Sequence, residues 1–309
     1  MKIVSIGNLS LGGTNKTPLT MYIGNYFLNN GYKIAIISRG YKGKIGLKTA
    51  IISDGKNIFF KPPLSSDEPY MMARNLKCPV ITGKDRQKSL KIAEENFKTH
   101  LAVLDDAFQY KKIKKDVEIL LLNHKNPLST GIPFPFGYIR EFPWAIRRAD
   151  IIIFTGYTDK YVPAGVEKYI ENKDIFYARM KPMIIENIAT TVGLDSIKNL
   201  NIFAFCGIAN PEGFVNHLKS LKPLKLYIKK FADHHYYTAH NIEWIKKKAN
   251  DTKADLIITT EKDYVKLPQS FMSNIYYLKV TIEIDNEKRF FSKLEDRLFF
   301  KHIKRTSVQ

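Results

Sequence analysis

Short runs of consecutive apolar residues alternate with stretches of helical period along the first half of the chain. Apolar runs at residues 2–6, 33–38, 50–53, 80–82, 101–104, 118–122 and 151–154 predict strands, and residues 18–29, 68–75, 85–96 and 144–148 predict helices. Strands without polar alternation are covered on both faces, so the pattern predicts an α/β fold with a mostly parallel sheet between two helical layers. A second block begins near Asn201, with strands predicted at 201–206, 225–229, 256–260 and 275–279 and helices at 211–220 and 239–250. Residues 181–198 read as the link. The pattern therefore predicts two domains, 1–182 and a smaller α/β domain over 183–309. Between Asn123 and Trp144 lies a long loop rich in glycine, proline and aromatic residues, of a kind that usually carries function.

Composition narrows the class. With 309 residues, of which 44% are hydrophobic and 12% aromatic, the chain buries a sizeable core and is not a disordered segment. No apolar run reaches the length of a membrane span, and the first strand follows Met1 too closely for a signal peptide. Two cysteines, Cys78 and Cys206, lie far apart without Cys-x-x-Cys spacing, which favours a reducing compartment and argues against structural zinc. The formal charge of +19 favours an anionic partner: a nucleic acid, an anionic membrane surface or a phosphorylated substrate. Lysine is spread throughout, however, so a compositional bias explains the excess equally well.

The most informative segment is Ile3-Val-Ser-Ile-Gly-Asn-Leu-Ser-Leu-Gly-Gly-Thr-Asn-Lys-Thr17, a strand, a Gly-rich turn and the start of a helix. That is the layout of a phosphate-binding P-loop, in which backbone N–H groups and the helix N-terminus face an anion. Gly12, Gly13, Thr14, Asn15, Lys16 and Thr17 form the expected nucleotide-binding turn. Lys16 is expected to reach the β- and γ-phosphates, and the Thr17 hydroxyl to bind Mg²⁺. The usual pattern has glycine where Ser10 and Asn15 stand, but asparagine tolerates a left-handed backbone. The apolar run ending in Asp105-Asp106 has the form of a Walker B element, whose carboxylate holds Mg²⁺. Asp67, before Glu68-Pro69, is either a helix N-cap or a carboxylate at the active edge of the sheet. His234 and His235 are adjacent and point apart, which excludes them as joint zinc ligands. One of them orients a catalytic carboxylate or is a satisfied loop residue. Tyr41, Arg86, Arg140 and Glu141 sit at strand ends or in loops where phosphate or sugar oxygens bind.

Taken in order, these segments resemble the tetraacyldisaccharide 4′-kinase family of lipid A biosynthesis. The matching stretches are Gly7-Asn-Leu-Ser-Leu-Gly-Gly-Thr-Asn-Lys-Thr-Pro18, Ser38-Arg-Gly-Tyr41, Asp67-Glu-Pro69, Asp85-Arg86, Asp105-Asp-Ala-Phe-Gln109, Tyr138-Ile-Arg-Glu141, Arg148-Ala-Asp150, Phe205-Cys-Gly-Ile208, Asp233-His-His235 and Thr259-Thr-Glu-Lys-Asp263. They span nearly the whole chain. The resemblance implies a P-loop fold and transfer of the γ-phosphate of ATP to the 4′-hydroxyl of a tetraacylated glucosamine disaccharide 1-phosphate, with Mg²⁺. It implies that Lys16 and Thr17 serve nucleotide and metal, and that Asp105 and Asp106 form the metal-associated pair. Asp67 becomes the base near the sugar hydroxyl, assisted by His234, while Tyr41, Arg86, Arg140 and Glu141 line the disaccharide site.

Three features depart from the family pattern. Asn15 stands in place of glycine, Ala107 and Tyr110 interrupt Asp-Asp-Gly-Phe-Gln-His, and the family's N-terminal hydrophobic and basic helix has no counterpart in these residues. Attachment at the cytoplasmic face of the inner membrane is then expected to be peripheral, weak and electrostatic. Two rival readings stay open on the residues: a P-loop kinase of a soluble small molecule, and a basic nucleic-acid-binding NTPase. No RNP-like aromatic motif, helix-turn-helix or zinc finger supports the latter.

Overall fold

The computed structural model describes residues 1–12, 15–41, 43–45 and 48–300. Tertiary contacts divide the chain into two compact units, Met1–Met180 with the residues from Ile282 on, and Lys181–Thr281.

In the first unit, β1 (Lys2–Asn8), β2 (Ile34–Ser38), β3 (Ala50–Asp54), β4 (Pro79–Thr82), β5 (Leu101–Leu104), β6 (Val117–Asn123), β7 (Ile151–Thr155) and the start of β8 (Asp174–Glu186) form a sheet in the order β8-β7-β6-β1-β5-β2-β4-β3. Neighbours run parallel, except that the edge strand β3 is antiparallel to β4. Strand residues such as Val4, Ile36, Val103 and Ile119 are fully buried, as their unbroken apolar runs require. Helices α1 (Lys16–Asn29) and α2 (Asp67–Asn75) cover one face, packing Ile23, Phe27 and Met72 into the core. On the other face α3 (Arg86–Phe97) buries Leu90 and Ala93 against Ile37, Ala102 and Leu104. Asp85 stands before α3 and not within it. Its side chain accepts the Gln87 and Lys88 amides, an N-cap that fixes where the helix begins. Residues 143–148 form a 3₁₀ helix.

The second unit contains the rest of β8, then β9 (Thr191–Val192), β10 (Asn201–Cys206), β11 (Lys225–Lys230), β12 (Leu256–Thr260) and most of β13 (Tyr276–Ile284). Their order is β11-β10-β12-β13-β8, with β9 antiparallel on β8. Helix α4 (Pro211–Ser220) packs Phe214 and Leu218 against Ile202 and Ala204. Helix α5 (Ala239–Asp251) packs Ile242 and Ile245 with Phe205 and Tyr277 in a separate cluster. The short α6 (Glu261–Tyr264) follows β12 directly.

Two expectations need correction. The stretch 181–198, read as a link, continues β8 to Glu186 and then forms β9 and a 3₁₀ turn. Lys181 and Pro182 break the apolar run there and mask the strand. The smaller unit also ends at Thr281 and does not extend to residue 309. Helix α7 (Glu287–Glu295) puts Phe290, Phe291 and Leu294 into the core of the first unit. There the Phe291 ring stacks on Tyr26 of α1, with centroids 3.5 Å apart and planes at 6°. Among the described residues no helix is long and apolar enough to cross a membrane.

Candidate functional site

Strand β1 ends at Asn8, at the carboxyl edge where ligands of parallel sheets bind. The chain then turns through Gly12, whose φ of +105° suits glycine alone, and enters α1 from Asn15. Asn15 has φ 61° and ψ 24°, the left-handed conformation expected of it, and its side chain makes no capping hydrogen bond. Gly13 and Thr14, both expected in the nucleotide-binding turn, lie outside the described residues. Asn15→Gly should therefore keep the fold and full turnover. Relief of about 1 kcal/mol of left-handed strain is offset by a similar gain in unfolded-chain entropy. Thermal unfolding and ATP titration check this, and a large loss of ATP affinity would mean that the Asn15 side chain touches nucleotide.

Lys16 opens α1 with its ammonium 2.9 Å from Asn8 Oδ1 and 3.5 Å from Asp106 Oδ1. This contact exists because β5, which ends in Asp105-Asp106, is the direct neighbour of β1. The turn after β5 folds tightly onto β1: the Ala107 amide donates to Ile6 O at 3.0 Å, and a Cβ on Gly7 would meet Phe108 Cβ at 2.5 Å. Only glycine permits that approach. Asp106 takes a left-handed backbone, φ 51°, and Arg140 Nη1 donates to both its oxygens at 2.7 and 2.9 Å. Arg86 Nη2 donates to the Asp106 carbonyl at 3.4 Å. Thr20 of α1 donates to Asp105 Oδ1 at 3.0 Å.

These contacts set the charges. Burial lowers the Lys16 pKa, and the nearby Asp106 only partly offsets it. Burial alone would raise Asp106, but Lys16 and Arg140 outweigh it and hold this carboxyl below its ordinary range. Asp105 goes the other way: burial first, then the Asp106 charge, push it up to about 7. The pair thus contains one compensated carboxylate and one short of positive charge. Arg140→Ala would leave Asp106 facing the Lys16 ammonium at 3.5 Å. A part-buried carboxylate losing a two-pronged donor should destabilise the protein by about 1–3 kcal/mol, measured by denaturant unfolding. An unchanged midpoint would mean that the pair is solvent-compensated.

The other expected residues fall in two groups. Arg86, the first residue of α3, is buried, donates to Gly83 O at 3.2 Å and lies over the Tyr110 ring at 5.6 Å. Burial, with Arg39 adding to it, lowers its pKa. Glu141 is engaged by Arg148 through two hydrogen bonds at 3.0 and 2.7 Å and by Lys111 at 2.8 Å. Those cations outweigh burial and keep it ionised. Arg148 in turn lies 4.4 Å above the Phe108 ring. Tyr41 is exposed. Asp67 is the first residue of α2 and half-buried; Ser66 takes the N-cap place instead. Thr17 is half-buried on the first turn of α1.

His234 lies in the second unit, just beyond β11. Its backbone is left-handed, φ 60°, and its amide donates to Gly207 O at 3.0 Å. Its Nε2 stands 3.4 Å from Lys262 Nζ and 3.8 Å from Asp233 Oδ2. The Gly207 turn is itself fixed by Asp263, which is fully buried and accepts the Gly207 amide at 2.9 Å, the Thr260 hydroxyl at 2.7 Å and Lys266 Nζ at 2.7 Å. A satisfied buried carboxylate thereby holds the His234 backbone in a strained region.

Sequence reasoning did not single out Asn8, Thr20 or Gln109. Asn8 holds the Lys16 ammonium, Thr20 holds Asp105, and Gln109 Nε2 donates to Asn8 O at 2.8 Å. The one available signal was an asparagine at a strand end directly before a Gly-rich turn, which the structure buries fully. Among the described residues no group of three or more His, Cys, Asp or Glu side chains forms a metal cage.

A family profile for tetraacyldisaccharide-1-P 4′-kinase matches residues 1–299. Relatives named tetraacyldisaccharide 4′-kinase include one from Desulfotalea psychrophila, 36% identical over 86% of this chain and 78% of that protein. Another, from Desulfatibacillum aliphaticivorans, is 34% identical over 96% of this chain and 83% of its own length. A crystal structure of LpxK from Aquifex aeolicus in complex with ATP aligns with a TM-score of 0.77 at 29% identity, covering 97% of this chain and 89% of that one.

Proposed function

The chain belongs to the tetraacyldisaccharide-1-P 4′-kinase family, and from that membership we propose the following reading of its site. The protein is an ATP-dependent kinase of lipid A biosynthesis that phosphorylates the 4′-hydroxyl of tetraacyldisaccharide 1-phosphate. The observation that carries this reading is the Lys16 ammonium, held by Asn8 and Asp106 at the end of β1 beside a glycine turn and a helix N-terminus. A cation preset there neutralises charge on a transferring phosphoryl group without reorganising.

The residues present suit Mg²⁺. Asp105 is a buried carboxylate short of positive charge, and with the Thr17 hydroxyl it offers the hard oxygen donors that this ion prefers. Asp105, Asp106 and Thr17 would hold the ion, with Arg140 and Lys16 orienting Asp106. When bound, Mg²⁺ supplies Lewis-acid neutralisation of phosphate oxygens. Gly12, Gly13, Thr14 and Asn15 are assigned to the nucleotide by the family motif. Asp67 receives the proton of the attacking hydroxyl and His234 assists it, roles carried over from the family residue by residue. Tyr41 and Arg140 face the sugar, while Arg86 and Glu141 shape that side through Asp106 and Arg148. The protein works as a peripheral protein at the cytoplasmic face of the inner membrane.

Incubating purified protein with the lipid A disaccharide precursor and Mg-ATP, followed by mass spectrometry, tests this. The expected result is a gain of one phosphoryl group at the 4′-position that requires ATP and is lost on chelation of Mg²⁺. An unmodified precursor, with ATP consumed on a soluble sugar or nucleoside, would overturn it.

A further inference from the structure

The loop between Asn123 and Arg148 holds an apolar surface that the phosphoryl chemistry does not use. Phe136 is 88% exposed, Phe134 69%, Tyr138 67% and Trp144 57%. Exposed apolar side chains scattered singly are ordinary, but a contiguous set on one turn marks an interaction surface. The turn is ordered by its own backbone. The Phe136 and Gly137 amides donate to Pro133 O at 3.1 Å, the Phe134 amide to Ile139 O at 2.8 Å, and the Tyr138 amide to Thr130 Oγ1 at 2.8 Å. Ile139 is buried beneath it and bridges to Ser10, and the Leu11 amide donates to Tyr138 O at 2.9 Å. The aromatic tip is thus anchored to the segment that leads into the nucleotide turn.

Charge identifies the partner. Residues 123–148 include four cations, Lys125, Arg140, Arg147 and Arg148, against a single acid, Glu141; Asp106 holds Arg140 and Glu141 holds Arg148. Lys125 and Arg147 are exposed. An exposed aromatic turn in a segment whose exposed charges are cationic fits the boundary between anionic headgroups and acyl chains, where amphipathic rings settle.

We propose that the turn at Phe134–Tyr138 is the membrane-docking surface of this chain, with Phe134, Pro135, Phe136 and Tyr138 seated in the interfacial layer of an anionic bilayer. The proposal rests on the lipid-kinase reading only in its choice of partner. It departs from the expectation of purely electrostatic attachment, because apolar insertion survives salt while charge attraction does not. Since the tip is pre-ordered, docking loses little conformational freedom.

The test is co-sedimentation with phosphatidylcholine vesicles containing phosphatidylglycerol, at low salt and at about 1 M salt, where screening is nearly complete. The full chain should stay partly bound at high salt. Phe134→Ser/Phe136→Ser should lower that salt-resistant binding at least about tenfold, since two apolar side chains lose their burial in lipid. In a Trp244→Phe background, Trp144 fluorescence should shift to the blue on vesicle addition and be quenched by brominated lipid. The double variant should keep turnover on detergent-dispersed precursor and lose it on vesicle-embedded precursor. Equal high-salt binding by both proteins would overturn the proposal. So would complete release of the unmodified chain at high salt, or a concentration-dependent dimer abolished by the double substitution, which would assign the tip to a second copy. Detergent turnover of the unmodified chain separates the two readings: a chain that docks without phosphorylating sinks the kinase reading alone, and one that phosphorylates without docking sinks this one.

Discussion

Lys16→Ala is expected to lower turnover by about three orders of magnitude while leaving the fold intact. The Lys16 side chain is 12% exposed, and its ammonium meets polar groups, Asn8 Oδ1 and Asp106 Oδ1 among them. Removing it opens no core cavity, and Arg140 still holds both oxygens of Asp106. Burial already disfavours the ammonium, so its loss removes a desolvation cost along with an ion pair. The unfolding midpoint should therefore move little while the chemical step collapses. Steady-state rates on the lipid precursor, set beside a thermal melt, check both halves. Near-normal turnover in a folded variant would remove the phosphate-loop assignment, whereas a collapsed melt would make Lys16 a structural cation.

Asp67→Ala should cut kcat by about 10²–10⁴-fold and leave ATP affinity within about twofold, as its proposed role on the acceptor's proton requires. His234→Ala should act in the same direction. The double variant reports whether the two serve one proton: it should be little worse than the poorer single variant, because groups acting together lose their shared contribution once. Multiplying losses would assign them separate roles. A raised KM for ATP in Asp67→Ala would move that residue to the nucleotide side. Stopped single-turnover assays at saturating ATP make the distinction, since they isolate the chemical step from product release.

Much of the sheet and of the residue cluster around Lys16 was legible from residue order because those residues lie at the ends of apolar strands. Asn15 reads as left-handed because few other side chains tolerate that backbone next to glycine, and its φ of 61° agrees. Asp105 and Asp106 read as a strand-end pair because an unbroken apolar run precedes them. Their division of labour was not legible, since it depends on Arg140, which comes 34 residues later and reaches Asp106 only once the loop folds back. Helix α7 was missed for a local reason. Its three core residues, Phe290, Phe291 and Leu294, lie among charged ones in a segment too short to show a helical period. The aromatic tip at Phe134–Tyr138 was visible as composition, but only its exposure separates a lipid-facing surface from a buried cluster.

The stacking of Phe291 on Tyr26 has a consequence for how the protein is made. A growing chain leaves the ribosome from its first residue onward, so β1 and α1 emerge early while their partner helix waits beyond residue 281. All of Lys181–Thr281 appears in one uninterrupted stretch and meets every partner in its own cluster before α7 is translated. Domains that are contiguous in sequence can condense during synthesis, whereas split ones are completed only when their last segment arrives. The helix that begins with Lys16 is thus among the first elements synthesised and among the last to be fully clad.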